Sequence, residues 1–172
     1  MNELEIVDIY DENKCKTGRT LVRSKDFLKP GEYILASQAI ILNSKREILI
    51  SKRSEFKDKF PLMWECNGGA VLTGETSLDG VVREIQEELG ITLNKEDGIY
   101  LKTSKNSFRF KDVYLFVKDI EIENIKFTDE ESIAAKWVNI KEFMNMFNNG
   151  EFVPTLEFDE EDYKKCLELL GE

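Results

Sequence analysis

The chain has 172 residues, with 34 Asp and Glu against 24 Lys and Arg, a formal net charge of −10. That balance excludes duplex nucleic acid and an anionic membrane as ready partners, because both need a cationic surface. Hydrophobic residues make up 41% of the chain, which excludes a wholly disordered one. The chain has no histidine, so a Ser-His-Asp triad, a Cys-His dyad and a His-bearing zinc or iron site are all excluded. Cys15, Cys66 and Cys166 lie far apart and make no CxxC pair or even-numbered disulfide framework.

The length fits one domain over residues 1–172. No apolar run approaches the roughly 20 residues of a membrane span. The acidic start, Met1 to Glu5, lacks a hydrophobic signal core, so a cytoplasmic protein is expected.

Residues 1–30 read as a hairpin-like extension. Leu4 to Tyr10 is an extended apolar-rich run, Asp11 to Gly18 a turn or loop, Leu21-Val22 the start of the return strand, and Pro30-Gly31 a second turn. Tyr33–Leu42 and Glu47–Arg53 read as a hairpin across Asn43 to Arg46. Ser54 to Lys59 is a charged loop, followed by an apolar knot from Phe60 to Trp64. Thr76 to Leu89 is the clearest helix, with a Thr76–Asp79 capping box and Gly90 as its stop. Val113–Lys118, with the Phe108/Phe110 stretch before it, and Ala134–Val138 read as strands. Asn139 caps a second helix that Gly150 ends, and Asp159–Leu170 is a third. Strands mixed with helices point to an α/β domain.

The chemistry concentrates on the central helix. At 100° per residue, Leu78, Val81, Val82, Ile85 and Leu89 share one arc of about 100°, the core stripe. Glu84, Glu87 and Glu88 fall in another such arc, turned away from the core. Like charges at i,i+3 and i,i+4 repel by a few tenths of a kcal/mol per pair, and no Lys stands four residues C-terminal to any of them. A hard divalent cation suits such a face, and all-oxygen ligands suit Mg²⁺ or Mn²⁺. Gly80, a costly residue inside a helix, would let a metal or phosphate come close. Gly68, Gly69 and Gly74 mark a loop of unusual backbone before it.

The spacing Gly69-x5-Glu75-x7-Arg83-Glu84-Ile85-x-Glu87-Glu88-x-Gly90-Ile91 resembles the Nudix box over residues 69–91, and every defined position matches. The resemblance implies an α/β/α sandwich with a mixed β-sheet flanked by helices, the box forming its loop–helix–loop. It implies an Mg²⁺-dependent hydrolase (Mn²⁺ substituting) that splits a diphosphate linkage in a small nucleotide-type metabolite by attack of activated water on phosphorus. Glu84, Glu87 and Glu88 would be metal ligands and catalytic acids, with Glu84 or Glu87 the first candidates for the base. The Gly68 carbonyl would be a further ligand, and Arg83 with Glu75 would hold loop and helix in register. Glu131, with Asp129 and Glu130 as rivals, would add a metal-binding or base carboxylate.

Nearly the whole chain is also similar to the bacterial Nudix branch related to isopentenyl diphosphate isomerase. The isomerase's histidine-rich site has no counterpart, and the matching loop reads Cys66-Asn67-Gly68-Gly69-Ala70, the hydrolase form. Isomerase chemistry and a non-catalytic nucleotide-binding module stand as the alternatives. Cys66 is read as structural. Lys52 and Arg53 would meet phosphate oxygens against a solvated-cation reading, and Trp64 would stack on a base against a core reading. Phe110, with Phe108, Arg109 and Tyr114, would offer an aromatic-plus-cation strip. The 1–30 extension would shape the pocket or make a homodimer contact.

Overall fold

The computed structural model describes residues 4–23, 26–128 and 130–172. In chain order it has β1 (Ile6–Tyr10), β2 (Lys16–Val22), β3 (Ile34–Leu42), β4 (Ile48–Arg53), β5 (Trp64–Glu65), β6 (Gly68–Ala70) and α1 (Ser77–Leu89). These are followed by β7 (Ile99–Lys105), β8 (Arg109–Val117), β9 (Ser132–Val138), α2 (Ile140–Asn148) and α3 (Glu160–Leu169).

The main sheet runs β5-β4-β3-β8-β7, with β6 added on β3 and β9 on β4. It is mixed: β3 and β8 are parallel over their whole length, from Ile34↔Arg109 to Leu42↔Val117, and the other pairs are antiparallel. Eight of the nine residues of β3 are buried, as a strand enclosed on both faces requires. Ala39, Ile41, Leu49 and Phe116 point to one face and pack under Val81, Ile85 and Leu89 of α1. Ile40, Leu42, Ile48, Ile50, Val113 and Leu115 point to the other, under Phe143 and Met146 of α2 and Cys166 of α3. The expected α/β/α sandwich is therefore present.

The three helix boundaries follow their caps. Thr76 accepts from the Asp79 N–H while Asp79 accepts from the Thr76 N–H, and Gly90 takes the left-handed conformation (φ 66°) that lets its N–H reach the Gln86 carbonyl. Asn139 and Asp159 cap α2 and α3.

Three segments differ from the sequence reading. The return strand of the N-terminal hairpin begins at Lys16 rather than Leu21. The Asp11 carboxylate accepts from the N–H groups of Asn13 and Cys15 (2.9 and 3.0 Å), closing the turn early. Strand β7 gave no sequence signal: it is an edge strand reading Ile-Tyr-Leu-Lys-Thr-Ser-Lys, in which only Leu101 is fully buried. The apolar knot is looser than expected, for Phe60 and Leu62 are exposed and both have positive φ. The hairpin extension lies over the loop before α1, with Val7, Ile9 and Leu21 packed on Ala70, Ile34 and Leu72.

Candidate active site

Residues 64–70 fill the fork where β3 and β4 diverge. Strand β4 meets β3 only at Leu42↔Ile48 and then takes β5 as its neighbour, Ser51 opposite Glu65, while β6 takes β3, Gln38 opposite Gly68. The segment read as an irregular glycine loop is thus a short strand at its centre. Gly68 and Gly69 are required by proximity rather than by dihedral angle, whereas Gly74, beyond the strand, has the unusual backbone expected of the loop, with φ 90°. A Cβ on Gly68 would lie 2.1 Å from the Ser37 carbonyl oxygen and 2.7 Å from the Gln38 Cα. A Cβ on Gly69 would lie 2.3 Å from the Glu84 Cδ and 2.5 Å from both its carboxylate oxygens. Gly80 serves the same purpose. Its missing Cβ faces Val71, Ser37 and Glu75 at 3.2–3.4 Å, so it brings α1 onto the sheet and does not open a path to the acids as expected.

The carboxylates do not all face solvent. Glu84 and Glu88 are 8% and 7% exposed because β6 and Asn67 cover their side of α1, whereas Glu87 stays largely exposed. Arg83 gathers this region. It donates to Glu75 (2.7 and 3.1 Å), Glu84 (2.9 Å), Glu87 (3.0 Å) and the Ala70 carbonyl (2.9 Å). The Arg83–Glu75 ion pair therefore ties loop to helix in this structure, and these carboxylates raise the guanidinium pKa above its ordinary value, against a desolvation that lowers it. Glu75 also accepts from the Leu72 N–H at 2.9 Å, closing the loop on itself.

Glu88 is held differently. It accepts from Asn67 Nδ2 at 2.7 Å, and Asn67 Oδ1 accepts from the buried Ser51 hydroxyl at 2.7 Å. Among the described residues no cation pairs with Glu88. Burial pushes its carboxyl well above the usual range, opposed by the Asn67 hydrogen bond and reinforced by Glu65, Glu84 and Glu131. Burial likewise raises Glu84, with Arg83 pulling it back. A buried carboxylate without a matching charge is costly, so this donor set suits a cation. It consists of Glu84, Glu88, the nearby Glu87 and one carbonyl. The Asn67 carbonyl accepts from the Ala39 N–H across β3. By strand alternation the Gly68 carbonyl then points off the opposite edge, as the Ala70 carbonyl does toward Arg83. The acids are not a finished cage, since among the described residues no group of three acidic or thiol side chains is gathered closely enough for one.

The remaining sequence candidates fall in several places. Glu131 is bound by Lys57, and its carbonyl accepts from the Ser54 N–H at 2.8 Å, so this residue fastens the 54–57 loop. Glu130 is exposed at a positive φ, and Asp129 lies outside the described residues. Arg53 is already committed: it donates twice to Glu65 (2.9 and 3.0 Å) and to the carbonyls of Lys59 and Phe60. Lys52 and Trp64 are on the wrong face. They alternate with Ser51 and Glu65, which point to the Glu88 side, and they pack instead with Lys136, both lysines lying over the Trp64 ring at 5.1–5.8 Å. Phe110 is buried with Tyr10, Leu35 and Val71 and has its ring 5.1 Å from Tyr33, so it is core and does not meet a ligand. The Phe108–Tyr114 strip is split the same way, Arg109 facing away from Phe110. Cys66 is buried and its thiol pushed up to about 12, as a structural cysteine would be.

Sequence reasoning missed Glu65, Asn67 and Ser51. Asn67 directly precedes Gly68, and a polar residue alternating with Glu65 beside the box was the available signal.

The model of the NUDIX domain family matches residues 32–156. The chain belongs to the Nudix family. An uncharacterized Nudix hydrolase of Listeria monocytogenes is 33% identical over 156 residues, covering 88% of this chain and 89% of that protein. Isopentenyl-diphosphate Delta-isomerase 1 of Photorhabdus laumondii is 28% identical, covering 92% and 93%. Among solved structures, a Deinococcus radiodurans protein superposes with a TM-score of 0.73 at 24% identity, covering 94% of this chain and 99% of its own. The Nudix match includes the whole box, residues 69–91, and leaves out the N-terminal hairpin.

Proposed function

We propose that this Nudix protein hydrolyses a diphosphate linkage in a small nucleotide-type metabolite, with Mg²⁺ or Mn²⁺ held by Glu84, Glu87, Glu88 and the Gly68 carbonyl. One observation carries the reading: the box acids lie along one side of α1 beside the Gly68-Gly69 strand, with Glu88 buried and met by no cation among the described residues. When bound there, a divalent cation supplies charge neutralisation for the diphosphate and Lewis acidity for the attacking water.

The protein's own groups then have separate tasks. Asn67, fixed by Ser51, orients the Glu88 carboxylate. Arg83 and Glu75 hold the Gly69–Glu75 loop against α1. Glu84 and Glu87 are the candidates to accept a proton from water, and Glu87 is the more accessible. Isomerase chemistry is the weaker reading despite the Photorhabdus relative, because Cys66 is buried and thiolate formation is suppressed.

The test is product release from a panel of nucleoside diphosphates, nucleoside triphosphates and nucleotide sugars, with Mg²⁺ and with EDTA, for the wild type and Glu87→Gln. Metal-dependent turnover that collapses in Glu87→Gln supports the proposal. No turnover of any compound favours a non-catalytic binding module, and undiminished turnover in Glu87→Gln refutes the assignment of this face.

A further inference from the structure

On the face of the sheet opposite the box acids, a second group of polar residues is buried without adequate partners. Strand alternation puts Arg109 and Lys111 of β8 on that face, beside Gln38 of β3, through the pairs Ile34↔Arg109, Ala36↔Lys111 and Gln38↔Val113. The floor beneath them is small: Ala36 pairs with Ala70, and Gln38 with Gly68. Glu157 lies two residues beyond Thr155, whose carbonyl accepts from Lys111 Nζ at 2.6 Å, so the segment between α2 and α3 is brought to this face, and its charge acts on both Arg109 and Lys111.

Gln38 is 6% exposed, and its amide nitrogen donates to the Cys66 carbonyl at 2.9 Å while its Oε1 meets nothing among the described residues. Arg109 Nε and Glu157 Oε2 are buried and equally unpartnered there. Lys111 is 7% exposed, and its three-donor ammonium reaches one acceptor among the described residues, the Thr155 carbonyl at 2.6 Å. Burial pushes Lys111 down to about 8, with Arg109 adding to the effect. A buried polar atom left unpaired is costly, and native structures hold few of them. Three such atoms and an under-satisfied ammonium on one face of the sheet, of complementary kinds, suit a polar ligand that spans them.

The two donors with orphaned N–H groups are cationic, and Arg23 and Lys102 add positive potential in a chain that is otherwise strongly acidic. The two orphaned acceptors, Gln38 Oε1 and Glu157 Oε2, require O–H or N–H donors. A bare anion would leave those acceptors unmet, and a metal ion would be repelled. We propose that Gln38, Arg109, Lys111 and Glu157 form a binding site for the phosphate or carboxylate group of a small hydroxyl-bearing metabolite. Arg109 and Lys111 hold the anion, and Gln38 and Glu157 accept from the adjacent hydroxyls. The site stands on this cluster alone and does not need the hydrolase reading to be correct.

The probe is sn-glycerol 3-phosphate, titrated calorimetrically into the full chain, with glycerol as control. Saturable binding to the wild type is expected, weakened about tenfold or more in Lys111→Met and in Arg109→Gln, since a charge-assisted hydrogen bond is lost in each. Glu87→Gln is expected to bind it as the wild type does. Thermal melting of both site variants confirms that they fold, and Arg109→Gln, on the less buried residue, serves if Lys111→Met does not. Absence of saturable binding to the wild type, or equal affinity in the folded variants, overturns the proposal. Two sources of the anion are separated by adding the best diphosphate substrate. Mutual exclusion identifies the site as the seat of that substrate's far end, and simultaneous binding identifies a separate effector. A failure of the hydrolase reading shows instead as turnover that ignores Glu87→Gln.

Discussion

Gly68 and Gly69 are adjacent in β6, yet alanine at each should fail in a different way. At Gly69 the new Cβ would sit 2.3 Å from the Glu84 Cδ. Non-bonded carbons sit at about 3.5–4.0 Å, so the carboxylate must retreat by more than about 1 Å. It is the end of a flexible side chain and can do so for an off-rotamer cost of about 0.5–1.5 kcal/mol. Restricting the unfolded chain returns about 0.4–1 kcal/mol, so Gly69→Ala should melt within about 3 °C of the wild type. The same retreat moves a proposed metal ligand, and a displacement of about 1 Å can cost about a hundredfold in rate. At Gly68 the Cβ would meet the backbone of β3, the Ser37 carbonyl oxygen at 2.1 Å and the Gln38 Cα at 2.7 Å. That strand is paired along its length and has nowhere to move. Gly68→Ala should therefore cost about 3 kcal/mol or more, the top of the overpacking range, lowering Tm by about 6–12 °C. The assay is thermal melting beside metal-dependent hydrolysis for both variants. Full activity in Gly69→Ala, or equal loss of stability in both, would refute the reasoning.

Three further outcomes are expected. Arg83→Gln leaves Glu75 and Glu84 without their shared guanidinium and should destabilise by about 2–4 kcal/mol, read by urea unfolding. Thr76→Ala removes the capping box of α1 and should cost about 1 kcal/mol with activity kept, read by the same two assays. Lys111→Met should change stability in a pH-dependent way. The folded-state value of about 8 lies below the ordinary 10.5, so the unfolded chain binds more protons between the two and the lysine's penalty is full below about pH 8. A gap of that size corresponds to about 3 kcal/mol, offset by loss of the Thr155 hydrogen bond. Lys111→Met should therefore be more stable than the wild type by about 1–2 kcal/mol at pH 7, the gain shrinking as pH rises from 8 toward 10.5. Chemical denaturation at pH 7 and pH 9.5 reads the difference, and a pH-independent gain would contradict it.

Local rules carried the sequence reading where structure is local. Thr76, Asp79 and Gly90 mark the ends of α1 because a capping box and a left-handed stop need only neighbouring residues. The spacing of Glu75, Arg83, Glu84, Glu87 and Glu88 was legible for the same reason. The expectation that the acids turn outward was half right: periodicity separates them from the Val81–Ile85–Leu89 stripe but cannot show that β6 lies over Glu84 and Asn67 over Glu88. What the sequence hid depends on strand pairing. Strand β6 looked like a loop because Gly68 and Gly69 carry no β-propensity, and its pairing with β3 follows from the fork between β3 and β4. Once β4 is in register, alternation sends Lys52 and Trp64 to one face and Ser51 and Glu65 to the other. Arg53 looked like a phosphate ligand because its partner Glu65 is twelve residues away in sequence. Lys111 and Gln38 come to neighbouring positions on one face through the parallel β3–β8 pair.

The claim at the centre is that the Glu84–Glu88 face of α1 holds a divalent cation. Titrating Mn²⁺ into wild type, Glu87→Gln and Glu88→Gln, with free Mn²⁺ followed by its electron paramagnetic resonance signal, tests it most directly. A bound ion in the wild type, with affinity reduced about tenfold or more in Glu88→Gln, is the expected result. Equal Mn²⁺ affinity in all three proteins would contradict it.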